Sequence, residues 1–68
     1  MKTAALVRMA NEIAANFRSY SEAEAVAAIA SHLRRFWEPR MREELRRAIQ
    51  AGRAADLSPL VVAAMQRL

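Results

Sequence analysis

Ser21, Ser58, His32 and the adjacent pair Glu43–Glu44 are the side chains whose types could do chemistry. Their spacing speaks against it. A serine nucleophile needs a base within hydrogen-bond reach and a group that orients the base, and neither serine has a histidine and an acid at an informative distance along the chain. Both read better as helix caps. Glu43 and Glu44 pair in sequence only, because neighbours on a helix point about 100° apart; Arg47 and Arg40, each four residues away from one of them, are the better partners. A single glycine rules out a glycine-rich phosphate loop. With no cysteine and one histidine there is no thiolate site, no disulfide and no histidine-rich metal set. One small helical domain does not readily assemble the convergent groups that catalysis needs. The sequence therefore predicts no catalytic, cofactor-binding or metal site in this chain.

His32 admits two readings. It falls just outside the apolar stripe of its segment, where a half-packed, hydrogen-bonded boundary histidine is the ordinary outcome. The functional alternative is a polar contact to a partner subunit.

Composition narrows the class further. Sixty-eight residues make one domain, and a chain this short buries only about 60% of the surface it exposes unfolded. The apolar fraction is 54%, yet 16 of those 37 residues are alanine, leaving 21 larger side chains for a core. A partner that binds the folded form would add stability by mass action, so the composition leans toward an accessory module or an oligomer. The start, Met1 to Arg8, begins like a leader, but Arg8 cuts its apolar run at Ala4-Ala5-Leu6-Val7, too short for a signal sequence. No apolar run approaches the roughly 18 residues of a membrane span, and the expectation is a cytoplasmic protein with no membrane contact. The net charge is +4, and ten of the eleven bases are arginine, the residue suited to bidentate contacts with carboxylates and phosphates.

The elements that must carry these residues are all helical. Alanine, leucine, glutamate and arginine dominate, and no β-branched alternation appears. The pattern predicts an all-α fold: a small single domain, 1–68, of four short helices in a bundle or orthogonal array, near 3–17, 22–37, 39–51 and 59–68. The first has Leu6, Met9, Ala10, Ile13 and Phe17 in one arc, with Arg8, Asn11 and Glu12 opposite. The second opens on a capping box, Ser21 with Glu24, carries Glu22 and Glu24 in its first turn and Arg34 and Arg35 in its last, and buries Val26, Ile29, Ala30, Leu33 and Phe36. It stops near Trp37, because Glu38 precedes Pro39 and is pushed out of the helical region. The third starts with Pro39 at its first position, buries Met41, Leu45, Ala48 and Ile49, and ends at Gly52 in the left-handed conformation. The fourth is opened by Ser58-Pro59, with Leu57 and Val62 placed for a hydrophobic staple. Its apolar residues Leu60, Val61, Val62, Ala64, Met65 and Leu68 cover an arc of roughly 200°, about twice what one small core takes up. One edge of that arc is expected to be free, which would let the isolated chain self-associate.

The densest stretch, Arg34 to Arg47, holds six of the ten arginines against Glu38, Glu43 and Glu44, a local net of +3. Arg40 can pair with Glu44 and Arg47 with Glu43. Arg42 has no partner within its segment, and Arg46 is a like charge four residues on. Unpaired arginines beside a tryptophan have the composition of an interface hot spot; the plainer reading is that Phe36 and Trp37 pin the corner while the arginines are solvated. The candidate partner-facing residues are Phe36, Trp37, Pro39, Arg40, Arg42 and Arg46, with His32 and, from the fourth segment, Val61 and Met65. The same arginines raise an alternative, a small basic helical nucleic-acid binder with the third helix in a groove. Against it, that helix has Gln50 as its only amide and two glutamates that would repel phosphate.

Across nearly its whole length the chain also resembles a known family. Met9-Ala10-Asn11-Glu12-Ile13-Ala14, Phe17, Glu24-Ala25-Val26, Ile29-Ala30-Ser31-His32-Leu33, Phe36-Trp37-Glu38-Pro39-Arg40-Met41-Arg42 and Leu57-Ser58-Pro59-Leu60-Val61 look like the delta subunit of soluble, NAD-dependent, molybdenum-containing formate dehydrogenase. The Phe36–Arg42 block is the most specific part. The resemblance implies a non-catalytic, cofactor-free accessory subunit that docks on the large catalytic subunit and supports its assembly or stability. The partner subunits would carry the molybdenum cofactor, iron–sulfur clusters, flavin and the NAD site, and the complex would oxidise formate to carbon dioxide. One departure is the loop after the third helix, where the family often has a glycine pair and this chain has Gly52 followed by Arg53.

Overall fold

The computed structural model describes residues 2–68; Met1, the first residue of the leader-like start, lies outside them. Four helices make up the fold: α1 Thr3–Ala15, α2 Glu22–Phe36, α3 Pro39–Gln50 and α4 Pro59–Met65. There is no strand among the described residues. The all-α expectation holds.

Where the sequence carries a strong local signal, the helix obeys it. Ser21 Oγ accepts from the Glu24 N–H at 3.2 Å, and the Glu24 carboxylate accepts from the Ser21 N–H at 3.3 Å, closing the capping box. Pro39 is the first residue of α3. Gly52 has φ +73 and closes α3 in a Schellman arrangement: the Arg53 N–H donates to the Ala48 carbonyl at 2.8 Å and the Gly52 N–H to the Ile49 carbonyl at 3.2 Å. One glycine is enough, so Arg53 in place of a second glycine is accommodated. A Cβ at Gly52 would meet nothing within 4 Å; backbone conformation alone favours glycine there. Ser58 Oγ accepts from the Leu60 N–H at 3.2 Å and caps α4.

Where no such signal exists, the expected helices run too long. α1 ends at Ala15 rather than Phe17, and α4 at Met65 rather than Leu68. Both tighten into three-residue turns: the Phe17 N–H donates to the Ala14 carbonyl, and those of Gln66 and Arg67 to Ala63 and Ala64.

α4 lies mainly on α2, and α1 lies on α3; α4 also touches α1 and α3, while the consecutive helices α2 and α3 meet least. The core is Leu6, Ala10 and Ala14 of α1, Val26, Ile29, Ala30 and Leu33 of α2, Leu45 of α3, Val61, Ala64 and Met65 of α4, and Trp37 and Leu57 from the connections. No polar or charged residue is buried among the described residues.

Three expectations need correction. The wide arc of α4 is not an excess, because that helix has three neighbours: Val61 and Met65 are core, and Leu60 and Val62 at the two edges are both half-buried against it. Both edges of the arc are partly covered and partly open. Phe36 is not part of the buried stripe of α2; it is exposed, and Trp37 is buried instead. Asn11 does not simply face solvent. Its Oδ1 accepts from the Ser58 N–H at 2.8 Å and its Nδ2 donates to the Asp56 carbonyl at 3.0 Å, clamping the α3–α4 connection onto α1.

Asn11→Ala removes both bonds and leaves the Ser58 N–H to water. The expected loss is about 1–2 kcal/mol, a fall in melting temperature on the order of 5–10 °C in a domain of this size. Glu12→Ala, its exposed neighbour, should stay within about 0.5 kcal/mol. Thermal and urea denaturation of the pair decide it; equal effects would mean that the clamp adds nothing.

Candidate functional site

The geometry of the α2–α3 corner follows from where the chain leaves the helix. Trp37 has φ −92 and ψ 135, and Glu38 has φ −66 and ψ 150. Both are extended, with Glu38 held so by the following proline. The Trp37 N–H still donates to the Leu33 carbonyl at 3.0 Å, but its side chain now projects inward, where it is 5% exposed. Phe36 keeps its helical direction and is 66% exposed. Its ring lies back along α2 on the His32 ring, centroid to centroid 4.8 Å, and the Arg35 guanidinium carbon stands 5.5 Å from its centroid. Residues 32, 35 and 36 share a helix face because they are three and four apart. Fully burying a phenylalanine is worth about 1.5–3 kcal/mol, and most of that is unrealised here.

Charge is distributed unevenly around this ring. Along α3, Glu43 pairs with Arg46 at 2.8 Å and with Arg47 at 3.4 Å, so Arg46 is not the unpaired member of a stripe. The Arg47–Glu43 pair is the one the spacing suggested. The expected Arg40–Glu44 pair does not form; Glu44 instead accepts from Thr3 Oγ1 at 3.2 Å. Nearer the corner, Arg34, Arg35 and Arg40 are exposed, and no carboxylate among the described residues lies within 4.0 Å of them. Arg34 donates to the backbone carbonyl of Arg67 at 3.4 Å. Arg42 is half-buried, and its Nε is shut off from solvent with no hydrogen-bond partner.

The candidate partner-facing residues thus separate into two groups. His32, half-buried, and Phe36, Pro39 and Arg40, exposed, come together at the surface of the corner, with Arg42 and Arg46 flanking on α3. Trp37 and Val61 lie in the core, and Met65, nearly as buried, floors the cleft between α3 and α4. Arg34 and Arg35 belong to the dense arginine stretch, but their place in the last turn of α2 is also explained by the helix dipole, and they are not among the candidate partner-facing residues. The spacing of 32, 35 and 36 was the available signal.

The remaining hollows are open surface clefts. One runs beside α1 and the 52–56 connection, lined by Val7, Arg53 and Asp56 among others; another lies between α3 and α4 over Ile49, Val62 and Met65. No group of three or more histidine, cysteine, aspartate or glutamate residues is placed to hold a metal ion among the described residues, and no helix there is long and apolar enough to cross a membrane.

A family model described as the delta subunit, FdsD, of NADH-dependent formate dehydrogenase matches residues 5–65. No curated protein and no solved structure matches the chain.

The exchange of the two aromatic residues has a direct test. Phe36→Ala should change unfolding free energy by less than about 1 kcal/mol, since the ring is mostly in water. Trp37→Ala should cost about 3–5 kcal/mol, enough to unfold much of the population. Urea titrations followed by circular dichroism give both numbers, and comparable losses would show that the two rings share the core.

Proposed function

This chain belongs to the delta-subunit family of NADH-dependent formate dehydrogenase, and from that premise we propose that it is a non-catalytic accessory subunit which docks on the large molybdenum-containing catalytic subunit and supports its assembly or stability. The family match carries the proposal: it runs from within α1 to the last residue of α4 and takes in the Phe36–Arg42 block. On this reading the redox chemistry belongs to the partner subunits, which hold the molybdenum cofactor, iron–sulfur clusters and flavin and pass electrons from formate to NAD. The complex works in the cytoplasm.

The physical character of the chain supports that role. A small alanine-rich core leaves a narrow stability margin, which binding to a larger partner widens by mass action. The corner of α2 and α3 offers an exposed aromatic ring and uncompensated arginines, the composition of a protein contact. A nucleic-acid role finds less support, because Glu43 stands between Arg46 and Arg47 and Glu38 is exposed beside Phe36, and each carboxylate repels phosphate.

An affinity tag on this chain in cells producing the dehydrogenase should bring down a much larger molybdenum- and iron–sulfur-containing protein. Deleting the chain should lower the yield of assembled, formate-oxidising complex, while the purified chain alone should oxidise no formate. Recovery of the chain only in free form, in cells with active dehydrogenase, would remove the proposal.

A further inference from the structure

We propose that the exposed face of the last turn of α2 anchors the docking contact: Phe36 enters an apolar recess of the partner, and Arg35 pairs with a carboxylate at the rim of that recess. The inference rests on the accessory-subunit reading and specifies the face and the chemistry it meets.

Three features of the molecule converge there. The first is exposure with no internal remedy. Among the described residues, Phe36 and Tyr20 are the large apolar side chains left exposed, and Phe36 is the more exposed of the two. The inward position at the end of α2 is filled by Trp37, so no rotamer of Phe36 can take it. Tyr20 differs, because its ring meets Phe17 edge-on at 5.3 Å and its hydroxyl suits water.

The second is preorganisation. The Phe36 ring is held between the half-buried His32 ring below it and the Arg35 guanidinium. A side chain already fixed by its neighbours loses little rotamer freedom on binding. Phenylalanine and arginine are both enriched at the cores of protein interfaces relative to the rest of the surface.

The third is the distribution of compensation. Glu43 neutralises Arg46 and Arg47 farther along α3, whereas Arg35, at the ring itself, has no carboxylate within ion-pair distance among the described residues. The uncompensated charge and the uncovered ring coincide. An acidic protein surface with an apolar recess satisfies both at once. A phosphate backbone satisfies the charge, leaves the ring uncovered and meets the exposed carboxylate of Glu38. The charges also steer the encounter, so docking should weaken as salt rises.

The test uses the tagged full-length chain expressed with the dehydrogenase. Phe36→Ala, and separately Arg35→Glu, should reduce the co-purified large subunit by about tenfold or more. Phe36→Leu should retain much of it, and Arg8→Glu, the same change of charge on α1, should stay within about twofold. Circular dichroism of each isolated variant should show wild-type helix content, which separates lost docking from lost folding. Wild-type recovery of the large subunit by both corner variants overturns the inference while leaving the accessory role standing, and so does an equal loss with Arg8→Glu. Failure of the wild-type chain itself to bring down the large subunit removes the role and the inference together. Two further results would reassign the face. One is a dimer of the isolated chain, seen by sedimentation, that Phe36→Ala dissolves while large-subunit recovery is unchanged. The other is binding of a single-stranded oligonucleotide that requires Phe36 and Arg35, again with recovery unchanged.

Discussion

The fold turns on the backbone of two residues. Pro39 excludes the helical conformation from Glu38, and the chain is already extended at Trp37. Trp37 follows Leu33 by four residues and Ala30 by seven, so its indole joins the buried face of α2, while Phe36, four residues after the half-buried His32, sits at the edge of that face and stays outside. The two extended residues send α3 away from α2, so these consecutive helices meet least, and α4 fills the space against α2. Helix arrangement and the uncovered edge beside Phe36 both trace to that departure.

What surrounds the tryptophan is modest. Ala10, Ala14, Ala25, Ala30, Ala48 and Ala64 are buried, and their small side chains let helix backbones approach closely while contributing little apolar area each. At about 0.05–0.15 kcal/mol per residue, a domain of this length holds roughly 3–10 kcal/mol in all. Against such a margin, one indole or one well-placed hydrogen bond is a large share. A chain of this kind gains more from a permanent partner than a large domain would, and the family to which it belongs is one of subunits.

The sequence made legible what is decided locally. The capping box at Ser21, the proline at 39, the glycine at 52 and the serine at 58 each act through atoms within a few residues, and each appears where its chemistry requires. Helix ends without such a signal, at Ala15 and Met65, were overrun, because periodicity continues past the point where hydrogen bonding tightens. Trp37, four residues after Leu33, is legible as a ring that pins the corner, whereas Phe36, at the edge of the same arc, stays uncovered. Asn11 is not legible because its partners, Asp56 and Ser58, are 45 and 47 residues away. The breadth of the apolar arc on α4 is legible, whereas how much of it is covered depends on how many neighbours the helix has. At the candidate site, arginine density and the Phe36–Arg42 block were visible, whereas which arginines find carboxylates was settled by rotamers.

The position of α4 bears on the time the chain takes to fold. Seven residues long, it is too short to form on its own in water, yet it touches all three other helices and supplies Val61, Ala64 and Met65 to the core. Its main neighbour, α2, lies more than twenty residues earlier in the chain. Closure of that loop must precede the contacts that reward it, which makes folding slower than for an up-and-down bundle of equal length.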